Sequence, residues 1–169
     1  MKQKIITAGL YIAAISIISQ LVSGILQPEG LLSATINIIS FVITVWIVIH
    51  FIKLHKKERN GFISFGNSFK LSFLSLALGV FIGMIFFFIY NNFIDSGIID
   101  KTVNESLEST YQGIQNMPEE DQRATLEWTE KITRFIFSFP GTLALFALIS
   151  IFYAILSLIL AAIMKQNPE

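Results

Sequence analysis

Residues 53–70 read KLHKKERNGFISFGNSFK, and this run decides how the rest of the chain is threaded. Lys53, Lys56, Lys57, Arg59 and Lys70 stand against one acid, Glu58. On either side lies a long stretch without a charge: Leu31–Ile52, 22 residues, and Leu71–Ile94, 24 residues. About 20 apolar residues in a helix cross the hydrocarbon core of a bilayer. Short loops rich in Lys and Arg stay on the cytoplasmic side. The run is therefore read as a cytoplasmic loop between two membrane spans.

Working outward, two more stretches have the same character. Ile5–Leu26 follows a short basic start carrying Lys2 and Lys4, and Gly141–Met164 precedes Lys165. A cleaved signal peptide would have a shorter apolar region and a small-residue cleavage site. Val22-Ser23-Gly24 matches that site poorly, so the first stretch is taken as an uncleaved span. Gln27-Pro28-Glu29-Gly30 is expected to turn the chain between the first two spans. Trp46 and His50 lie near the cytoplasmic end of the second, at the depth where Trp anchors helices. Asn60-Gly61 breaks the chain inside the basic loop. Ser64 is placed to cap a helix, and Phe62, Phe65 and Phe69 are spaced for one helical face, an interfacial turn leading into the third span. Tyr90-Asn91-Asn92 closes that span with an interfacial cluster.

Residues 95–139 are the one sizeable polar region, with nine acids against four bases. Val103, Leu107, Tyr111 and Ile114 recur at helical spacing, and so do Ala124, Trp128, Ile132 and Phe135. Residues 113–117 separate the two rows. Pro118 suits a first helical position, and Glu119, Glu120 and Asp121 suit the positive end of a helix dipole. Glu127–Lys131 and Glu130–Arg134 are favourable i,i+4 pairs. Two short amphipathic helices follow. Phe139-Pro140-Gly141 is expected to interrupt the chain before the last span.

The expected fold is all-α: four transmembrane helices, about 5–26, 31–52, 71–94 and 141–164, with an extracytoplasmic helical insert, 95–139, between the third and fourth. Length allows one domain, 1–169, a single integral membrane domain. Eight of the twelve bases fall on the near side and ten of the twelve acids on the far side, which puts both termini in the cytoplasm. The expected location is a cytoplasmic (inner) membrane. Net charge is zero, so no nucleic-acid partner is expected, and without cysteine there is neither disulfide nor thiolate metal site.

Each span has a face of small or weakly polar residues. These are Gly9, Ala13, Ser16, Gln20 and Ser23; Ser33, Asn37, Ser40 and Thr44; Ser72, Ser75, Gly79 and Gly83; and Ala147, Ser150, Ala154, Ser157 and Ala161. Small residues let helix backbones approach in a membrane. The competing reading is a polar pathway for an ion or solute. No Asp, Glu, Lys or Arg lies inside a span, which counts against ion-coupled transport. Gln20 and Asn37, the most polar groups at depth, are expected to hydrogen-bond each other across a hairpin. His50 and His55 lack a carboxylate at ligand spacing, so no metal site is expected. No GxSxG elbow is present, so no catalytic residue and no cofactor site is expected, and the chain is not read as an enzyme. The basic loop either holds anionic lipid or only fixes topology.

Residues 60–70, NGFISFGNSFK, resemble the signature G-x-I/L-S-F-G-x-A/S-F-K of domain of unknown function 4199, a family of bacterial integral membrane proteins. Residues 90–95, YNNFID, resemble that family's Y-x-N-F-I-D/N-P, with Ser96 in place of the proline, and Phe139-Pro140 matches as well. The resemblance covers nearly the whole chain. It implies the same four-span layout and no known activity. The function expected is a structural or accessory membrane component acting through helix–helix association, with a homo-oligomer or a membrane protein partner. A small oligomeric transporter or channel is the alternative, and an interfacial enzyme acting on lipids is the weakest reading.

Overall fold

Long charge-free runs have no backbone alternative to the helix once water is excluded, and the chain folds accordingly. A computed structural model describes residues 1–26 and 30–166. Among them are α1 (Lys2–Leu26), α2 (Gly30–Lys57), α3 (Phe65–Ile89), a π turn (Tyr90–Ile94), α4 (Gly97–Ile114), α5 (Glu119–Phe137) and α6 (Phe139–Met164). α1, α2, α3 with its π turn, and α6 are each long and apolar enough to cross a membrane. Gln27, Pro28 and Glu29 of the expected first turn lie outside the described residues, while Gly30 opens α2.

The helices run past the expected span limits at the basic end. α1 starts at Lys2, and α2 continues beyond Ile52 to Lys57, so His55, Lys56 and Lys57 occupy its last turn. Cations there complement the negative end of the helix dipole. α3 starts at Phe65 and passes straight through Lys70, so no separate interfacial turn precedes it; Phe62 lies outside the helix.

By its contacts the chain divides into two units. The first comprises Met1–Met84 and Phe146–Glu169. In it α1 and α2 are antiparallel: Lys4 Nζ donates to the Leu54 carbonyl, Tyr11 meets Phe51 at 6.2 Å, and Ser40 Oγ donates to Ser19 Oγ at 3.0 Å. α1 and α3 run parallel. Ser75 lies beside Ile5, Gly79 beside Gly9 and Ile12, and Gly83 beside Ser16 and Gln20. α6 runs back along α3, Phe146 against Phe81 and Gln166 against Ile63. The core gathers toward the basic end, around Ile12, Val48, Ile52, Ile63, Leu71 and Leu76.

The second unit, Ile85–Leu145, centres on the α4–α5 hairpin. Pro118 sits one residue earlier than expected, as the N-cap of α5 rather than its first helical residue. Gln122 Nε2 donates to the Gln115 and Met117 carbonyls and ties the turn. Of the row expected on α4, Val103 and Ile114 are buried, Leu107 is half-buried and Tyr111 is exposed. On α5 the row of Trp128, Ile132 and Phe135 is exposed instead, and Thr133 and Phe137 are buried, with Thr129 meeting Thr110 at 3.4 Å. The α5–α6 break falls at Ser138, and Phe139 and Pro140 belong to α6. Ser138 Oγ donates to the Phe135 carbonyl and accepts from the Gly141 amide. A Cβ on Gly141 would overlap the Phe135 carbonyl, so only glycine fits this corner.

Candidate functional site

The sequence points to no catalytic, cofactor or metal site; the polar residues it singles out, Gln20, Asn37, His50, His55 and the basic loop, divide between two places in the first unit. One is the seam between α1 and α3. Gln20 does not reach Asn37. Its Nε2 donates to Ser16 Oγ and to the Gly83 carbonyl, both at 3.2 Å. Asn37 instead donates to the Ser33 carbonyl at 3.0 Å, within its own helix. The geometry explains the exchange. Glycine at 83 brings the α3 backbone close to α1, so its carbonyl comes within hydrogen-bond reach of Gln20. A Cβ on Gly79 would come within 2.5 Å of Ile12 Cγ2 and 2.9 Å of the Gly9 carbonyl oxygen. The GxxxG of α3 is thus used for helix contact. A cavity of about 210 Å³ remains beside the seam; Ser16, Ser19, Asn37, Ser40, Thr44 and Tyr153 supply its polar lining.

The other place is the basic end, where the motif of residues 60–70 folds into a cap. Asn60 (φ 53°) and Gly61 (φ 90°) take left-handed conformations that reverse the chain after α2. Ile63, buried, forms an antiparallel bridge with Gln166: its amide donates to the Gln166 carbonyl at 3.1 Å and its carbonyl accepts at 2.9 Å. Nothing in the spacing of the sequence announces this pairing. Ser64 Oγ accepts from the Asn67 amide at 3.3 Å, so Ser64 caps α3 as its residue type suggests. Lys4 bonds Glu58 and holds that carboxyl below the ordinary glutamate range. The two histidines serve different surroundings. His50 is exposed and stacks on Trp46 at 5.4 Å, whereas His55 is buried. Together His55, Arg59, Ile63, Ser64 and Asn67 border a cavity of about 180 Å³.

The second family-like motif forms the π turn. A π turn shifts the backbone register by one residue, here through the Asp95 amide donating to the Tyr90 carbonyl at 2.8 Å. Asn91 and Asn92 donate to the Phe87 and Phe88 carbonyls, and Asn92 also to the Phe137 carbonyl at 2.9 Å. The amides of this motif thus bind backbone.

Residues 6–166 match the family described as protein of unknown function (DUF4199). The chain belongs to this family. Both motif segments fall inside the match, so the loop reversal, the α3 cap and the π turn are what this family member builds from them. No curated protein and no solved structure matches the chain.

Proposed function

We propose that this family member is a multi-pass accessory protein of a bacterial cytoplasmic membrane that acts through helix–helix association, without catalysis. One observation carries the reading. Of the two most polar groups at depth, Gln20 is spent on the backbone of a neighbouring helix at a glycine-lined contact and Asn37 on its own helix. Ion coupling would instead call for a charged group at that depth. The start of α1, the basic loop and Gln166 share one end of the first unit, and the Lys/Arg rule assigns that end to the cytoplasm. α3, at 25 residues, is about 37 Å long, more than the hydrocarbon thickness. Residues 95–139 then emerge on the far side.

The chain has no cysteine, which makes the threading easy to test. Single cysteines at Ser109 and at Lys57 are expected to label from opposite faces of a sealed membrane. Labelling of both from one face would overturn the arrangement. The accessory role is tested by extracting the protein from its native membrane in mild detergent and measuring what co-purifies and at what mass. A stoichiometric membrane protein partner is the expected result. The 210 Å³ polar-lined cavity favours the second reading, a small oligomeric conduit. A homo-oligomer without a partner, together with solute flux in liposomes, would replace the first reading by that one.

A further inference from the structure

We propose that the cavity at the basic end binds a phosphate group, carried either by an anionic lipid headgroup or by free phosphate. The inference rests on the membrane placement above but not on the accessory role. Three features converge on the cavity. The first is the start of α3. A helix leaves its first amides without intrahelical partners, and its N-terminus is the positive end of the dipole. Ser64 satisfies one amide, that of Asn67. Beside Gly66 nothing stands within 4 Å of where a Cβ would be, so the backbone edge is open to approach.

The second feature is independent of the helix end and points to a ligand. His55 borders the cavity, is 3% exposed, and its buried Nδ1 has no hydrogen-bond partner among the described residues. Leaving such a group unmatched costs free energy that a bound polar group recovers. The third is Arg59, which borders the same cavity and forms no ion pair among the described residues. A guanidinium offers a planar fork of donors that matches phosphate oxygens. The nearest acid, Glu58, is already engaged by Lys4. Lys53, Lys56 and Lys57 do not border the cavity. They attract anions to this end without specifying the site.

The test uses the full-length protein, delipidated in a maltoside detergent that contains no phosphate. The imidazole NMR signals of His55 and His50 are followed while inorganic phosphate, or short-chain phosphatidylglycerol, is added. The His55 signal is expected to move and that of His50, outside the cavity, to stay. Movement with inorganic phosphate identifies the phosphate group itself as sufficient. Movement with phosphatidylglycerol alone identifies the lipid headgroup as the source. Arg59→Gln is expected to weaken binding by about tenfold or more, the loss of one charge-assisted hydrogen bond. Lys57→Gln removes the same charge outside the cavity and is expected to change it less than about twofold. A His55 signal unmoved by either probe overturns the proposal. So does equal weakening by the two variants, which would reduce the effect to diffuse attraction.

Discussion

The α1–α3 seam and the α4–α5 hairpin are both pairs of helices in contact, yet they are joined by opposite means. The seam has no charge. It closes until glycine meets backbone, and its hydrogen bonds end on carbonyls: Gln20 on Gly83, Ser75 on Ile5. The hairpin is joined through Arg134, which binds both Glu130 and Asp100, and through paired threonines, and it leaves Trp128 and Phe135 open. On the membrane placement proposed above, the difference follows from what lipid and water each permit. Between helices in lipid there is no hydrophobic drive, so close packing and hydrogen bonds must hold them. In water charges are cheap and ion pairs form freely, although each adds little.

The largest effect is expected from breaking the seam. Gly79→Leu puts a branched side chain where a single Cβ already crowds Ile12. A loss of about 1–3 kcal/mol, the usual cost of overpacking, should appear in thermal unfolding in detergent. Gly66→Leu, in open space, should show almost none. A smaller effect sharpens the point about carbonyl bonding. Gln20→Leu is expected to cost about 0.6–1.7 kcal/mol, the range for interhelical hydrogen bonds in membranes, while Asn37→Leu stays near zero. Equal losses at both positions would restore a direct Gln20–Asn37 link.

These two residues also show how far the sequence could be read. The four spans were legible because a charge-free run of bilayer length has few other fates. Ser64 was legible as a cap because its role is local. The partner of Gln20 was not, because it is a backbone carbonyl on α3, and nothing in side-chain identity marks a carbonyl. The packed face of α5 was not legible for a related reason. Its more apolar row, Trp128, Ile132 and Phe135, is the exposed one, while Thr129 meets Thr110 of α4 and Thr133 and Phe137 are buried. The cavity at the basic end was half legible. Ser64 lies in the motif of residues 60–70 and Arg59 directly before it, but His55 joins them only because α2 continues past the expected end of its span.

On the hairpin the expected effects are smaller still and depend on conditions. Glu130 and Asp100 hold the Arg134 guanidinium above its ordinary basicity, Glu130 contributing most. Arg134→Gln should weaken the protection of α4–α5 amides from hydrogen exchange at low salt. In about 1 M salt, where the Debye length falls to about 3 Å, the difference from the wild type should vanish. The smallest effect belongs to Glu58. Its carboxyl titrates lower in the folded protein, chiefly through the Lys4 hydrogen bond. That contribution is complete above the ordinary glutamate range and is lost as pH falls through the folded value. Glu58→Gln should lower the melting temperature slightly at neutral pH and not at all in acid.

The bridge between Ile63 and Gln166 sets an order of events during synthesis. Ile63 leaves the ribosome early, with its amide and carbonyl unmatched, and waits until the whole of α6 has been made. A nascent chain halted before α6 therefore presents an unfinished edge beside the start of α3. Completion of that edge marks the difference between a chain that is merely inserted and one that is finished.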